Sequence, residues 1–280
     1  MAELGKIQKL EIVKKVDFGL YLDGGEQGEI LMPKRYASPD MEIGDVIDVI
    51  VYLDGEERYL ATTEQPLATV GKFACLKVNS VENAGAFLDW GVSKELLVPF
   101  SEQKVKMEVG RSYVVYVYLD TLTDRIVASM KLEKHFSKEK PTYQVNDEVE
   151  LLIWTPTDLG YKVIVDNTFQ GIVYKNEIFK KLISGEKIKG YIKKVREDDK
   201  LDITIHKQGH TKIDKSADKI LQLLNKTGGT LPYNDKTDPE VIYSIFGMSK
   251  KTFKQSIGNL FKQRVIVIED NGISLIPENK

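Results

Sequence analysis

Two aromatic residues recur at one place in a repeated segment. Val16 to Asp23 reads VDFGLYLD and Glu82 to Asp89 reads ENAGAFLD, the two aligned on Gly19 and Gly85. Strand side chains alternate faces, so Leu20 and Leu22 share one face while Tyr21 sits with Asp17 and Asp23 on the other. Phe87 stands in the same way between Asn83 and Asp89, with Ala86 and Leu88 on the apolar parity. A ring presented in polar company is a stacking platform for a flat conjugated ligand, worth about 1–3 kcal/mol per nucleic-acid base. Arg58, Arg125 and Lys200 open matching strands downstream, and such cations pair with phosphate, the arginines also stacking on rings. Both features have plainer uses. A strand aromatic can cover a neighbouring domain, and edge-strand charges discourage aggregation. Phe18 stays open: strict alternation puts it on the apolar side, but a glycine inside a strand often marks a bulge that re-aims its neighbours.

The elements that must position these residues come in repeats. A third copy, Thr157 to Ile164 (TDLGYKVI), aligns on Gly160. In the first, strand patterns run over Lys6 to Lys14, Gly19 to Asp23, Glu29 to Met32, Asp45 to Leu53 and Arg58 to Thr63, with a hairpin signal at Asp54-Gly55. Five short strands in about sixty residues fit a small Greek-key barrel whose outer face binds oligonucleotides. The second copy starts GKFACLKVNSV at Gly71 and ends in YVYLD, matching IVYLD of the first. Lys131 to Tyr143, charged and containing a proline, reads as a linker. From about Ser216 the period changes to that of helices: one through Ile220, Leu223 and Leu224, a second over Pro239 to Phe246 behind an Asp238 cap, and a third over Ser249 to Lys262. In the third, Phe253, Ile257, Leu260 and Phe261 face inward, leaving Lys250, Lys251, Lys254 and Lys262 largely outside. A hairpin turning at Asn271-Gly272 follows. The expected fold is mainly β with a C-terminal α+β domain: barrels over 1–67, 68–139 and 140–210, then a winged helix over 216–280.

Composition narrows the chemistry. At 280 residues, 42% apolar and 29% charged, the chain reads as an ordinary soluble, cytoplasmic protein without a membrane span or secretory signal. One cysteine, Cys75, with His135, His206 and His210, excludes a disulfide within the chain and points to no metal or other cofactor. Glu197-Asp198-Asp199 reads as a turn rather than the carboxylate cluster of a two-metal nuclease, so the chain is expected to be no enzyme. Over four seventy-residue blocks the net charge is −7, +2, 0 and +3. A polyanionic partner is therefore drawn to the later blocks, and the acidic first barrel is a place for a protein partner.

Three such barrels followed by a winged helix resemble the conserved virulence factor B family of bacteria, and the barrels resemble the S1 type. The resemblance implies an RNA-lining face made of two aromatics around the glycine, a histidine position, and an acid followed by a base. In the first repeat Phe18 and Tyr21 match the aromatics, and Asp54 and Arg58 the charged pair, with Met32 in place of the histidine. The second keeps Phe87, Asp120 and Arg125, with Ala84 and Val98 at the other places. The third has Leu159 and Lys162 at the aromatic positions, Tyr174 at the histidine, and Arg196 and Lys200 near the charged pair, so that binding there falls to Tyr161, Lys193 and Lys194. The implied function is binding of single-stranded RNA and post-transcriptional regulation of bacterial genes, virulence genes included. The basic third helix, with Lys250, Lys251 and Lys254, leaves two alternatives open, a solvated face and a DNA major-groove reader. A scaffold whose barrels bind no nucleic acid is the remaining class.

Overall fold

The computed structural model describes residues 2–175, 178, 182–205, 212–262 and 265–276. His206 and His210 fall outside these. The chain divides into two compact units, 1–205 and 206–280.

The first unit holds three closed five-stranded barrels of one topology. Barrel 1 comprises β1 (Ile7–Val16), β2 (Gly19–Asp23), β3 (Glu29–Pro33), β4 (Val46–Leu53) and β5 (Tyr59–Thr62). Barrel 2 comprises β6 (Phe73–Glu82), β7 (Gly85–Asp89), β8 (Leu96–Pro99), β9 (Ser112–Leu119) and β10 (Ile126–Ser129). Barrel 3 comprises β11 (Glu148–Pro156), β12 (Gly160–Val165), β13 (Phe169–Tyr174), β14 (Lys187–Val195) and β15 (Leu201–Thr204). In each, the third and fifth strands pair in parallel and close the barrel. The first strand of each slips register at the same point, Ile12/Lys14, Val78/Ser80 and Ile153/Thr155, the one-residue bulge that bends a strand round a small barrel.

The repeated glycine now has its reason. It opens the second strand where the third strand crosses closely: a Cβ on Gly19, Gly85 or Gly160 would stand 2.3, 2.2 or 2.0 Å from the carbonyl oxygen of Met32, Val98 or Val173. Any side chain would push these strands apart. The alternation that starts there buries Leu20, Leu22, Ala86 and Leu88, as the pattern required. Phe18 lies in the turn before β2, not on its apolar face, and is 59% exposed.

The barrels are fused by buried side chains. Ile50 and Tyr52 of barrel 1 join the core cluster of barrel 2 around Trp90, and the Glu64 carboxylate accepts from Ser93 N at 2.9 Å and Ser93 Oγ at 2.6 Å. Burial pulls the Glu64 carboxyl up, but these bonds from Ser93 hold it below its usual value. Between barrels 2 and 3, Asn167 both accepts from Phe73 N (2.8 Å) and donates to Phe73 O (2.9 Å). The stretch read as a linker is instead a wedge. Leu132 is fully buried with Phe73, Val114, Leu152 and Ile164, and Phe136 stacks on Phe73 at 5.0 Å. Two apolar residues in a charged run gave no periodic signal, yet they seal this junction.

The second unit has α1 (Lys212–Lys226), β16 (Thr230–Leu231), α2 (Pro239–Phe246), α3 (Lys250–Lys262), β17 (Ile266–Glu269) and β18 (Gly272–Leu275). Asp238 caps α2 by accepting from Glu240 N at 2.8 Å. Three details differ from expectation. The wing is a three-stranded sheet, because the two-residue β16 pairs with β18. Its turn falls on Asp270-Asn271, with Gly272 opening β18 so close to β16 that a Cβ would stand 2.0 Å from Leu231 O. Phe253, Ile257 and Leu260 are buried as expected, whereas Phe261 is 52% exposed, one position past the buried stripe. Among the described residues no helix is long and apolar enough to cross a membrane.

Candidate nucleic-acid interface

One position recurs on the outer side of all three barrels, two residues past the glycine: Tyr21, Phe87 and Lys162. They occupy equivalent places in the ladder, opposite Leu31, Leu97 and Ile172, and all are half-buried. In each barrel the hairpin of the fourth and fifth strands is closed by backbone bonds from Asp54, Asp120 and Arg196 to Arg58, Arg125 and Lys200, and in barrels 2 and 3 it borders the same cleft as Phe87 and Lys162. The charged pairs of the sequence are therefore equivalent hairpin corners, but each barrel uses its corner differently.

In barrel 1 the face is aromatic and internally paired. Phe18 meets Tyr21 edge-on at 6.3 Å, and Lys14 Nζ lies 5.5 Å from the Tyr21 ring centroid. Asp54 Oδ2 accepts from Arg58 Nε at 2.8 Å while its Oδ1 takes the amides of Glu56 and Arg58. Partial burial raises this carboxyl, but the bonds from Arg58 and Glu56 outweigh it and keep it below the ordinary carboxylate range. Met32, at the histidine position, is fully buried.

In barrel 2 the corner is open. Asp120 takes Thr123 Oγ1 at 2.8 Å, and Arg125 reaches across to Glu57 of barrel 1 at 3.5 Å, both side chains more than half exposed. Phe87 and Arg125 border the same cleft, together with Asp54. Val98, like Met32, is buried in the core.

In barrel 3 the same places carry cations. Lys162, Arg196 and Lys200 line a cleft of about 230 Å³ with Gln170, Gly171 and Ile172. Lys200 pairs with Asp198 at 2.9 Å, and Arg196 lies between Asp198 (3.9 Å) and Asp202 (3.6 Å). Tyr161 has the parity of Leu20 and Ala86 and packs against the barrel core, so Lys162 rather than Tyr161 holds the outward place. Tyr174 pairs with Gly160 as Pro33 does with Gly19, one residue beyond the Met32 position, and its hydroxyl donates to Asp202 at 3.2 Å. Lys193 is half-buried at the β14 bulge and Lys194 is exposed beside it. Sequence reading passed over Trp154, the bulged residue of β11, whose ring lies between Lys104 Nζ (5.4 Å) and Lys162 Nζ (5.0 Å). A lone tryptophan at a strand bulge was the available signal.

In the second unit Lys251 and Lys254 of α3 are exposed and Lys250 half-buried, and Lys254 pairs with Asp235 at 3.2 Å. Among the described residues there is no group of three or more His, Cys, Asp or Glu that could hold a metal ion.

Comparison with known proteins matches the S1 domain to residues 4–64 and 70–131, and the CvfB-like winged helix domain to residues 218–275. The chain is 27% identical over 275 residues to the uncharacterized protein YitL of Bacillus subtilis, covering 96% of this chain and 92% of that protein. It is 26% identical over 281 residues to conserved virulence factor B of Staphylococcus aureus, covering 97% and 94%. A solved Streptococcus pneumoniae structure, described as a multidomain protein with nucleic acid binding domains, aligns over 98% of both chains at 22% identity with a TM-score of 0.43. S1 domains joined to a winged helix suggest nucleic-acid binding.

Proposed function

The chain belongs to the conserved virulence factor B family, and on that premise we propose that it binds single-stranded RNA across the outer faces of its barrels and through its winged helix. The observation that carries this reading is the recurrent outward position, aromatic in two barrels and cationic in the third, and in barrels 2 and 3 beside a charged hairpin corner. Rings such as Tyr21 and Phe87 suit unpaired bases, whose π-faces are covered in a duplex. Cations such as Lys162, Arg196 and Lys200 suit the phosphates between them. Several weak sites on one chain reinforce one another through high effective concentration. The protein acts by binding rather than by cleavage, as a cytoplasmic post-transcriptional regulator of bacterial gene expression.

The test is competition at several salt concentrations. A labelled single-stranded RNA should be displaced by unlabelled single strand more readily than by duplex RNA or duplex DNA, and its affinity should fall as salt rises. Preferred displacement by duplex DNA would transfer the function to α3 and the wing. Cleavage of the RNA in magnesium or manganese would overturn the non-enzymatic reading.

A further inference from the structure

We propose that the seam between barrels 1 and 2 is a pocket for one unpaired nucleobase, with the adjoining phosphate taken by Arg125. The proposal rests on the RNA reading above and gives it a specific place. A partly enclosed cleft of about 250 Å³ opens there, walled by Leu53, Asp54 and Gly55 of barrel 1 and by Phe87, Trp90 and Arg125 of barrel 2. This is below the roughly 300 Å³ at which drug-sized sites begin, so it has room for a single planar ring system and none for a stacked run or a base pair.

The chemistry of the walls matches the two halves of a nucleotide. Phe87 offers an aromatic surface beside the apolar side chains of the β7–β8 face, and Leu53 closes the opposite wall. Asp54, the carboxylate nearest the cleft on the barrel 1 side, is already occupied by two backbone amides and by Arg58. Its charge is therefore compensated, and the cleft's other carboxylate, Glu95 of barrel 2, accepts from Asn79 Nδ2 at 2.8 Å and stands next to Lys94 on the same wall. Arg125 is different. It pairs with Glu57 at 3.5 Å, both side chains 53% or more exposed. An exposed pair of that kind is weak, so a phosphate oxygen can replace Glu57 on the guanidinium. Neither barrel alone makes this pocket, because the ring and the guanidinium come from barrel 2 and the opposing wall from the β4–β5 hairpin of barrel 1. Barrel 1 thus contributes one wall of the pocket and, in Glu57, the carboxylate that a phosphate displaces from Arg125.

Gly55 allows a clean test. A Cβ placed on it meets no atom within 4 Å, so Gly55→Leu adds a bulky side chain to the barrel 1 wall of the cleft without displacing packed structure. The full chain, Gly55→Leu, Phe87→Ala and the double variant are titrated with fluorescein-labelled oligo(A) and oligo(U). Anisotropy reports affinity. Thermal melts establish that each variant is folded. Gly55→Leu and Phe87→Ala are each expected to weaken binding at least about fivefold. The double variant should lose no more than the worse single, since both act on one pocket. If Gly55→Leu binds as the parent does while Phe87→Ala is impaired, the seam pocket is refuted and stacking on barrel 2 stands. If the parent binds neither oligonucleotide, the RNA reading and the pocket fall together.

Discussion

Replacing Lys162, Arg196 and Lys200 together by glutamine removes three positive charges around the barrel 3 cleft while roughly keeping side-chain length. Each phosphate neutralised on a single strand adds about 0.7 to the slope of log affinity against log salt, so three full contacts account for about 2.1. The neighbouring carboxylates reduce that. Lys200 is held by Asp198 at 2.9 Å, and Arg196 is shared between Asp198 and Asp202, so a phosphate must displace them. Lys162 lies over the Trp154 ring instead and contributes more fully. The slope should therefore flatten by between about 0.7 and about 2.1, which over a fourfold range of salt means about 3- to 18-fold less loss of affinity. Anisotropy of a labelled RNA strand at a series of potassium chloride concentrations measures it. A slope that is unchanged, or steeper, would refute the assignment of phosphate contacts to this cleft.

Other outcomes follow from the same geometry. Phe87→Ala should weaken RNA binding more than Tyr21→Ala, by a stacking loss of about 1–3 kcal/mol, because Phe87 stands near Arg125 whereas Tyr21 belongs to the most acidic part of the chain; titration calorimetry that returns the opposite order contradicts this. Leu132→Ala, at a fully buried position between barrels 2 and 3, should cost about 2–5 kcal/mol in urea unfolding, and a cost near zero would mean that the wedge does not bind the barrels together. His135 stacks on Tyr116 at 4.1 Å with a buried, unbonded Nε2, and burial, aided by Lys134 and opposed by Glu102, lowers its pKa. Its contribution to stability is thus complete above the ordinary histidine pKa of about 6.5 and lost as pH falls through the depressed folded value. Melting temperatures measured downward from neutral pH should show this dependence, and His135→Gln should reduce it. Gly85→Ala, forced against Val98 O, should destabilise barrel 2 by more than about 1 kcal/mol, seen as a lower midpoint in thermal unfolding.

Much of the fold was legible because its strongest local constraint recurs. The glycine at 19, 85 and 160 is demanded by the carbonyl of the crossing strand, so three copies could be aligned and the alternation beyond each fixed the faces of Leu20, Tyr21, Ala86 and Phe87. The same logic placed Lys162, but the sequence favoured Tyr161 beside it, since an aromatic looks like a binding residue when its parity is not counted. The junctions were not legible. Leu132 and Phe136 carry no period, and Ile50 and Tyr52 lie in an apolar strand where outward and inward positions look alike, yet they fuse barrel to barrel. The two-residue β16 was too short to leave a pattern, and Phe18 escaped the parity rule because it belongs to a turn. The seam cleft was hidden for a related reason: Asp54 and Phe87 are 33 positions apart, and only the packing of two barrels brings them to one opening.

Photocrosslinking of a thiouridine-substituted single-stranded RNA to the full chain, with the attachment sites read by mass spectrometry, tests the central claim most directly. Crosslinks should fall on β7 and β8 around Phe87, on the hairpin 53–58, and on β12 and β13 around Lys162. Attachment confined to the far sides of the barrels, or none on barrels 2 and 3 despite measurable binding, would contradict it.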